Sequence, residues 1–289
     1  MVDQSLLIHL SLGFLAQNDH SLKLYFEELE RRSKVRANGV MGLFYNFAEW
    51  VMRLVGTNLL WVAFNIPIVY LGLNLILVED ISQLFMVAVT IVVLIPFIFF
   101  PATTAMFAIT RKWVMKETDI PIIRSYLKYY KENYVRSMVG GLILTVVWVA
   151  YVVDYYFFFG LKRAAFSSTF LFFLLIVFLI ALVFLVAFTW NFISYTVHIH
   201  DRLLKSLKDT LIITIGKPFI SISIFGLTGL VIYLSFTAIT FLIPFFMGVL
   251  IALISFTGFY MIYVKVASIN ENHRSVRSWR KILTIEQKK

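Results

Sequence analysis

The chain has 289 residues, of which 60% are hydrophobic and 15% charged, whereas soluble domains run at roughly 45–50% apolar and about 25% charged. A water-soluble core of this size cannot hide so much apolar surface, so an ordinary soluble globular protein is excluded and a bilayer is the expected solvent. The net charge of +10 raises the question of nucleic acid, and the absence of cysteine excludes disulfides, thiolate metal sites and a cysteine nucleophile.

Residues 1–40 are the least membrane-like part. Leu6–Ala16 is a short apolar run with Asp3 where a signal peptide carries basic residues, and it falls short of the about 20 residues that span a bilayer. Leu22, Tyr25, Phe26 and Leu29 recur at helical spacing, with Glu27, Glu28, Arg31 and Arg32 on the other face. The expectation is a cytoplasmic N-terminal helical extension. A docking arm is one alternative; a native start at Met41, leaving 1–40 outside the native protein, is another.

A six-span membrane domain is expected over residues 41–264. Phe44, Phe47, Trp50 and Val51 form an amphipathic lead-in, with Glu49 and Arg53 spaced to pair. The first span, 54–77, carries Asn58, Trp61 and Asn65 on one face, which should turn into the bundle because amides in lipid need partners. That face reads as structural glue, or alternatively as a surface that contacts solute. Pro67 should kink the helix. After the acidic turn Glu79–Asp80 comes the second span, 84–109. There Pro96 and Pro101 break the hydrogen-bond ladder, Thr103 and Thr104 are placed to satisfy freed carbonyls, and Ala102, Ala105 and Ala108 form a small-residue stripe.

Arg111, Lys112 and Lys116 then anchor the chain among headgroups. Asp119 is placed to cap the next helix, and Pro121 suits its first turn. Ile122, Ile123, Tyr126, Leu127, Tyr130 and Tyr134 make an apolar-aromatic stripe opposite Arg124, Lys128 and Lys131. This pattern predicts an interfacial helix on anionic lipid or a docking helix for a partner. The third span, 137–159, contains Gly140 and Gly141 for close packing, and Asp154 near its outer end could pair with Lys162 or Arg163. The fourth is 170–195. His198 and His200, two positions apart, point about 200° apart on a helix, so with Asp201 they read as a polar cap and not as a metal site. Leu203, Leu204, Leu207, Leu211 and Ile215 form a second amphipathic stripe, with Lys205, Lys208 and Asp209 opposite. The last spans are 219–241 and 243–264, where Gly226, Gly229 and Gly248 with Ala252 mark packing surfaces, and 265–289 is a basic tail. The order span, surface helix, span occurs twice: Arg124-Ser125 and Lys205-Ser206 precede Arg136 and Lys217 by the same interval.

The charges settle the orientation. Of the 26 Lys and Arg, 24 fall in the two termini and in the loops after spans two and four. The positive-inside rule therefore predicts that both termini lie in the cytoplasm, with the chain crossing a cell membrane. The basic residues face anionic lipid, and no nucleic-acid partner is expected. There is no P-loop, HExxH, GxSxG or glycine-rich dinucleotide turn. Five spans lack ionisable residues, against the mid-membrane carboxylates or histidines of ion-coupled transport. No enzyme activity, cofactor or metal is expected.

The segments MGLFYNFAEWVMRL at Met41–Leu54, NLLW at Asn58–Trp61 and FPATTAMFAITRKWV at Phe100–Val114 resemble the YesL family of uncharacterised bacterial membrane proteins. The most specific part is Pro101-Ala102-Thr103 with Arg111-Lys112-Trp113. The resemblance covers roughly Met41–Val264 and implies a place beside carbohydrate ABC-transport components, since such proteins are commonly encoded with them. The resulting expectation is a non-catalytic accessory or scaffold protein of carbohydrate uptake, with a small-solute facilitator as the alternative. The candidate docking residues are Arg124, Lys128, Lys131, Lys205 and Lys208; the candidate polar intramembrane face is Asn58, Asn65, Thr103 and Thr104.

Overall fold

The structure, a computed structural model, describes the backbone of residues 40–118, 120–161 and 166–286, with side chains from 42 to 160 and from 166 to 267 apart from residue 119. The N-terminal extension, the Asp119 cap, the pairing of Asp154 with Lys162 or Arg163, and the side chains of most of the tail lie outside the described residues.

Every described element is helical: α1 Val40–Phe64, α2 Ile66–Leu77, α3 Ile81–Leu94, α4 Phe100–Val114, α5 Ile122–Tyr156, α6 Ser168–His198, α7 Leu203–Gly216, α8 Pro218–Thr237 and α9 Gly248–Glu286, with π-helical turns at Ile95–Phe99, Phe157–Leu161 and Ile243–Met247. Among the described residues, five helical segments are long and apolar enough to cross a membrane, and α1 with α2 makes a sixth if this bent pair is one span. The protein is therefore an all-α, multi-pass membrane protein.

The chain divides at Arg53–Leu54. In the first unit the described part is the start of α1, where Glu49 and Arg53 pair at i,i+4. The second unit, Leu54–Lys289, holds the bundle.

Proline shapes the bundle in the ways its chemistry dictates. The first span bends by 72° between α1 and α2. The break falls at Asn65, two residues before Pro67, because proline cannot donate a backbone hydrogen bond and disfavours helix just upstream. At Pro96 the second span does not break. It widens into a π-turn, with Phe100 N–H bonded to the Ile95 carbonyl, and continues as α4. The sixth span opens with the same Ile-Pro-Phe sequence and the same device at Ile243–Met247.

α4 is the hub. Every residue from Phe100 to Thr110 is buried, and α4 packs against α5, α6 and α9. Phe107 stacks on Trp190 of α6 at 5.8 Å. The small residues Ala102 and Ala105, fully buried, let the neighbours approach, as the alanine stripe predicted. Gly141 lies against the root of the Phe100 ring, Gly140 against Phe192, and Gly258 against Ile224.

Two expectations need correction, and α7 packs in a way the sequence reading did not specify. The first amphipathic segment is not a separate surface helix: it runs unbroken into the third span as α5. The second, α7, does end, at Lys217 (φ −137°, ψ 66°) before Pro218. The difference is one residue. The position after Arg136 is Ser137, whose hydroxyl donates to the Asn133 carbonyl at 2.7 Å, whereas the position after Lys217 is a proline that forces the preceding residue out of helix. Next, α7 turns a hydroxyl face inward. Ser206, Thr210 and Thr214 are buried while Leu204, Leu211 and Ile215 are exposed, and only Leu203 and Leu207 of the expected stripe pack on the core. Asn191 of α6 explains this, since its Nδ2 donates to Thr214 Oγ1 at 3.1 Å and short hydroxyl side chains allow close helix approach in lipid. Finally, Gly226 and Gly229 have open space where a Cβ would stand, so they are not packing contacts. Gly248 is one: it faces Asn58 and Trp61.

Candidate functional site

Asn58, inside the bundle, is held by backbone groups of another segment. Asn58 Nδ2 donates to the carbonyls of Pro244, at 2.7 Å, and Ile243, at 3.2 Å. Its Oδ1 accepts from Val249 N–H at 3.0 Å. A π-turn leaves carbonyls and amides out of the regular ladder, and Asn58 closes that gap from another helix. Trp61 Nε1 donates to Thr103 Oγ1 at 3.0 Å. Thr103 thus serves Trp61, in place of the expected repair of the proline break. Asn65 Nδ2 reaches only the Trp61 carbonyl one turn back, at 2.8 Å, and its buried Oδ1 has no partner. Thr104 is buried in α4. Asn58, Thr103 and Trp61 come together around α4 and the start of α9. The cavity beside them, about 220 Å³ and edged by Trp61, Phe99, Thr103, Met247 and Gly248, has a mostly apolar lining.

The Pro101–Trp113 motif builds both ends of the hub. At one end the Ala102 carbonyl accepts from the buried Tyr126 hydroxyl at 2.8 Å, and Phe64 packs on Tyr126 and Tyr130 at 5.3 and 4.6 Å. At the other end α4 closes on Lys116, which takes the left-handed conformation at φ 66°. Lys116 N–H bonds to the Trp113 carbonyl and Glu117 N–H to the Lys112 carbonyl, the paired pattern of a Schellman cap. Lys112 Nζ pairs with Glu117 at 2.6 Å. Trp113 is buried, and Arg111 Nε donates to His198 Nδ1 at 3.3 Å.

His198 and Arg136 tie this end together. The His198 ring sits among Phe256, Phe259, Tyr260 and Tyr263, the last with ring centroids 4.4 Å away. Arg136 donates to the carbonyls of Thr196 and Ile199 and to Ser206 Oγ at 2.7 Å. A guanidinium at a helix C-terminus is favourable for the helix dipole, so Arg136 pins the end of α6 to the start of α7. Beside it the Tyr195 hydroxyl lies 3.0 Å from Asp201 Oδ2 and 2.7 Å from Asp209 Oδ2, and Lys205 pairs with Asp201 at 2.9 Å. The hydrogen bond from Lys205, then that from Tyr195, holds the Asp201 carboxyl below its ordinary range, and Asp201 in turn raises Lys205. Among the described residues no group of three metal-ligating side chains converges.

The candidate docking residues divide. Lys205 is taken up by Asp201. Arg124, Lys128 and Lys131 are exposed on the outer face of the first turns of α5, with Lys128 within 3.8 Å of Glu132. Ile123, 65% exposed, and Leu127 stand beside them. Lys208 is exposed on α7. The outer face of α5 is thus mixed basic and apolar, while the opposite face is locked through Tyr126 to α4 and α1.

Residues 54–155 match the model of a family described as "Protein of unknown function, DUF624". Over 100 residues the chain is 29% identical to the uncharacterized protein YesL of Bacillus subtilis (strain 168), across 34% of this chain and 35% of that protein. Over that stretch the chain resembles YesL. It is also 30% identical over 117 residues to uncharacterized protein YteU of the same organism, across 40% of this chain and 41% of YteU, and 29% identical over 150 residues to uncharacterized protein YesV, across 50% of this chain and 67% of YesV. The chain thus spans about two fifths of YteU and about a third of YesL. No solved structure matches. The family match takes in the hub α4, the bend at Asn65 and nearly all of α5, and it stops short of α6 to α9.

Several site residues escaped the sequence reading. Arg136 was placed only as a repeat marker, and nothing in its neighbourhood announces carbonyls sixty residues away. The hydroxyl stripe Ser206, Thr210, Thr214 and the acid-base ladder Asp201, Lys205, Asp209 were visible at i,i+4 spacing. So was the repeated Ile-Pro-Phe.

Proposed function

We propose that this protein is a non-catalytic accessory or scaffold protein of the bacterial cell membrane, with both termini cytoplasmic, which docks a component of a carbohydrate ABC-type uptake system on the outer face of α5. One observation carries the docking part: Arg124, Lys128 and Lys131 stand exposed beside exposed Ile123 and Leu127, on a helix whose other face is fixed into the core. Mixed basic and apolar faces of this kind suit an acidic amphipathic partner and anionic headgroups alike. The link to carbohydrate uptake rests on the YesL-like resemblance. The scaffold reading is supported by how the buried polar groups are used, since Asn58, Tyr126 and Arg136 bond backbone carbonyls of other helices. A small-solute facilitator has less support, because Asn58, its leading residue, is already engaged with three backbone groups.

The test is purification from native membranes in a gentle detergent, with mass spectrometry of the intact complex. A stoichiometric transporter component should accompany the wild-type chain and be lost from the Arg124→Glu, Lys128→Glu, Lys131→Glu variant. A wild-type chain that emerges with no stoichiometric partner sinks the proposal.

A further inference from the structure

On the side of the hub away from the basic end lies a cavity of about 750 Å³. Its walls come from Val92 and Val93 of α3, Trp148, Val149 and Val152 of α5, and Trp190 of α6. That volume falls within the range of small-molecule sites. Among its wall residues none is charged. Trp148 Nε1 is already satisfied by Thr189 Oγ1 at 3.1 Å. Besides the Trp190 indole, the remaining polar wall residue is Thr145, whose buried hydroxyl has no partner.

The cavity opens sideways into lipid. Its rim residues Val93 and Val152 are 55% and 58% exposed and sit on facing helices of the membrane-spanning segments. Along α5 it runs from Thr145 to Val153, about 12 Å at the helical rise, close to the half-thickness of roughly 15 Å that one leaflet contributes. An opening of this size does not stay empty in a bilayer, because its lining atoms would lack contact partners on one side. Water is no remedy between walls that offer almost no hydrogen bonds.

We infer that this cavity binds one long hydrocarbon chain of a neutral-tailed membrane lipid from the leaflet opposite the basic end. The uncharged walls match the tail and reject the headgroup, which stays at the level of the acidic Glu79–Asp80 turn or beyond. Because lipid tails are as apolar as the walls, selection comes from close contact along the groove and not from the hydrophobic effect. The chain can belong to a phospholipid or to an isoprenoid lipid, and the mass of the bound molecule separates them. The inference does not depend on the docking proposal.

The full-length protein, purified from native membranes, should retain one lipid per chain in native mass spectrometry, at collision energies that strip the rest. Val149→Trp fills the cavity from α5 and Ala88→Trp from α3. Each should lower the retained population about tenfold, equivalent to about 1.4 kcal/mol, without lowering the melting temperature. Ala88→Trp keeps the test decisive should Val149→Trp fold poorly. The inference is overturned if the wild-type chain retains no lipid, or if a folded, filled variant retains it as well as wild type.

Discussion

Asn58 concentrates three interhelical hydrogen bonds in a single amide. Its partners are the Ile243 and Pro244 carbonyls of the π-turn and the Val249 N–H just beyond it, so removing it takes away three interhelical hydrogen bonds at once. Single interhelical hydrogen bonds in membrane proteins average about 0.6 kcal/mol, and on that scale Asn58→Leu should cost roughly 2 kcal/mol. Asn65→Leu, which loses only a bond within its own turn, should cost far less. Thermal unfolding in detergent, followed by tryptophan fluorescence, orders the two; equal midpoints would refute the clamp. Asp201 gives the second residue-scale prediction. Its pKa is lowered by Lys205 and then by Tyr195, so its contribution is complete above the ordinary aspartate range and is lost only as pH falls through the depressed value. The Lys205 pKa is raised, so that contribution is complete below the ordinary lysine range and lost only above it. Hydrogen exchange of residues 199–206, corrected for intrinsic rate, should therefore be flat between about pH 5 and pH 9. In the Asp201→Asn variant the turn should exchange faster across the whole of that window.

Whether a glycine in a membrane helix matters depends on what its missing Cβ would meet, and sequence alone does not reveal that. Gly141 and Gly226 look alike as letters, yet a Cβ on Gly141 would stand 2.6 Å from the root of the Phe100 ring, while Gly226 faces open space. Gly141→Ala should therefore destabilise by about 1–3 kcal/mol, as overpacking does. Gly226→Ala should be neutral or gain up to about 1 kcal/mol of helix propensity. Gly140→Ala should destabilise as well, because a Cβ there would meet the ring of Phe192, which is buried in the core. Midpoints of thermal unfolding test the order. The same divide governs what was legible before the structure. Spans, the bend near Pro67 and the alanine stripe follow from composition and local stereochemistry, and all were readable. The inward hydroxyl face of α7 was not singled out, because the Leu stripe is the louder signal; in lipid the large side chains can face outward, and the small hydroxyl residues pack inward. The fusion of the first amphipathic segment with the third span turned on Ser137 standing where Pro218 stands in the second copy. The partners of Asn58 and Arg136 could not be read at all, since they are backbone groups remote in sequence.

At the scale of the whole molecule the fold has two chemically distinct ends. Arg111, Arg136, His198 and Asp201 form a polar, cross-linked end, while the turn at Glu79–Asp80 sits at the other, beyond the apolar cavity. The charge asymmetry predicts that the polar end is cytoplasmic, and one property of the chain makes this directly testable. There is no cysteine anywhere in it, so any introduced cysteine is unique without further substitution. Lys131→Cys lies on the exposed face of α5 and Glu79→Cys in the exposed turn between α2 and α3, and neither residue carries a contact that holds the bundle together. In intact cells a membrane-impermeant maleimide should label Glu79→Cys and leave Lys131→Cys unlabelled; in inverted vesicles the pattern should reverse. Ser82→Cys, also exposed at the start of α3, should follow Glu79→Cys. The docking proposal needs the outer face of α5 in the cytoplasm, where an uptake ATPase would meet it. Labelling of Lys131→Cys from outside intact cells would overturn the orientation and the proposed partner class together, while leaving the lipid cavity in place with its leaflet exchanged.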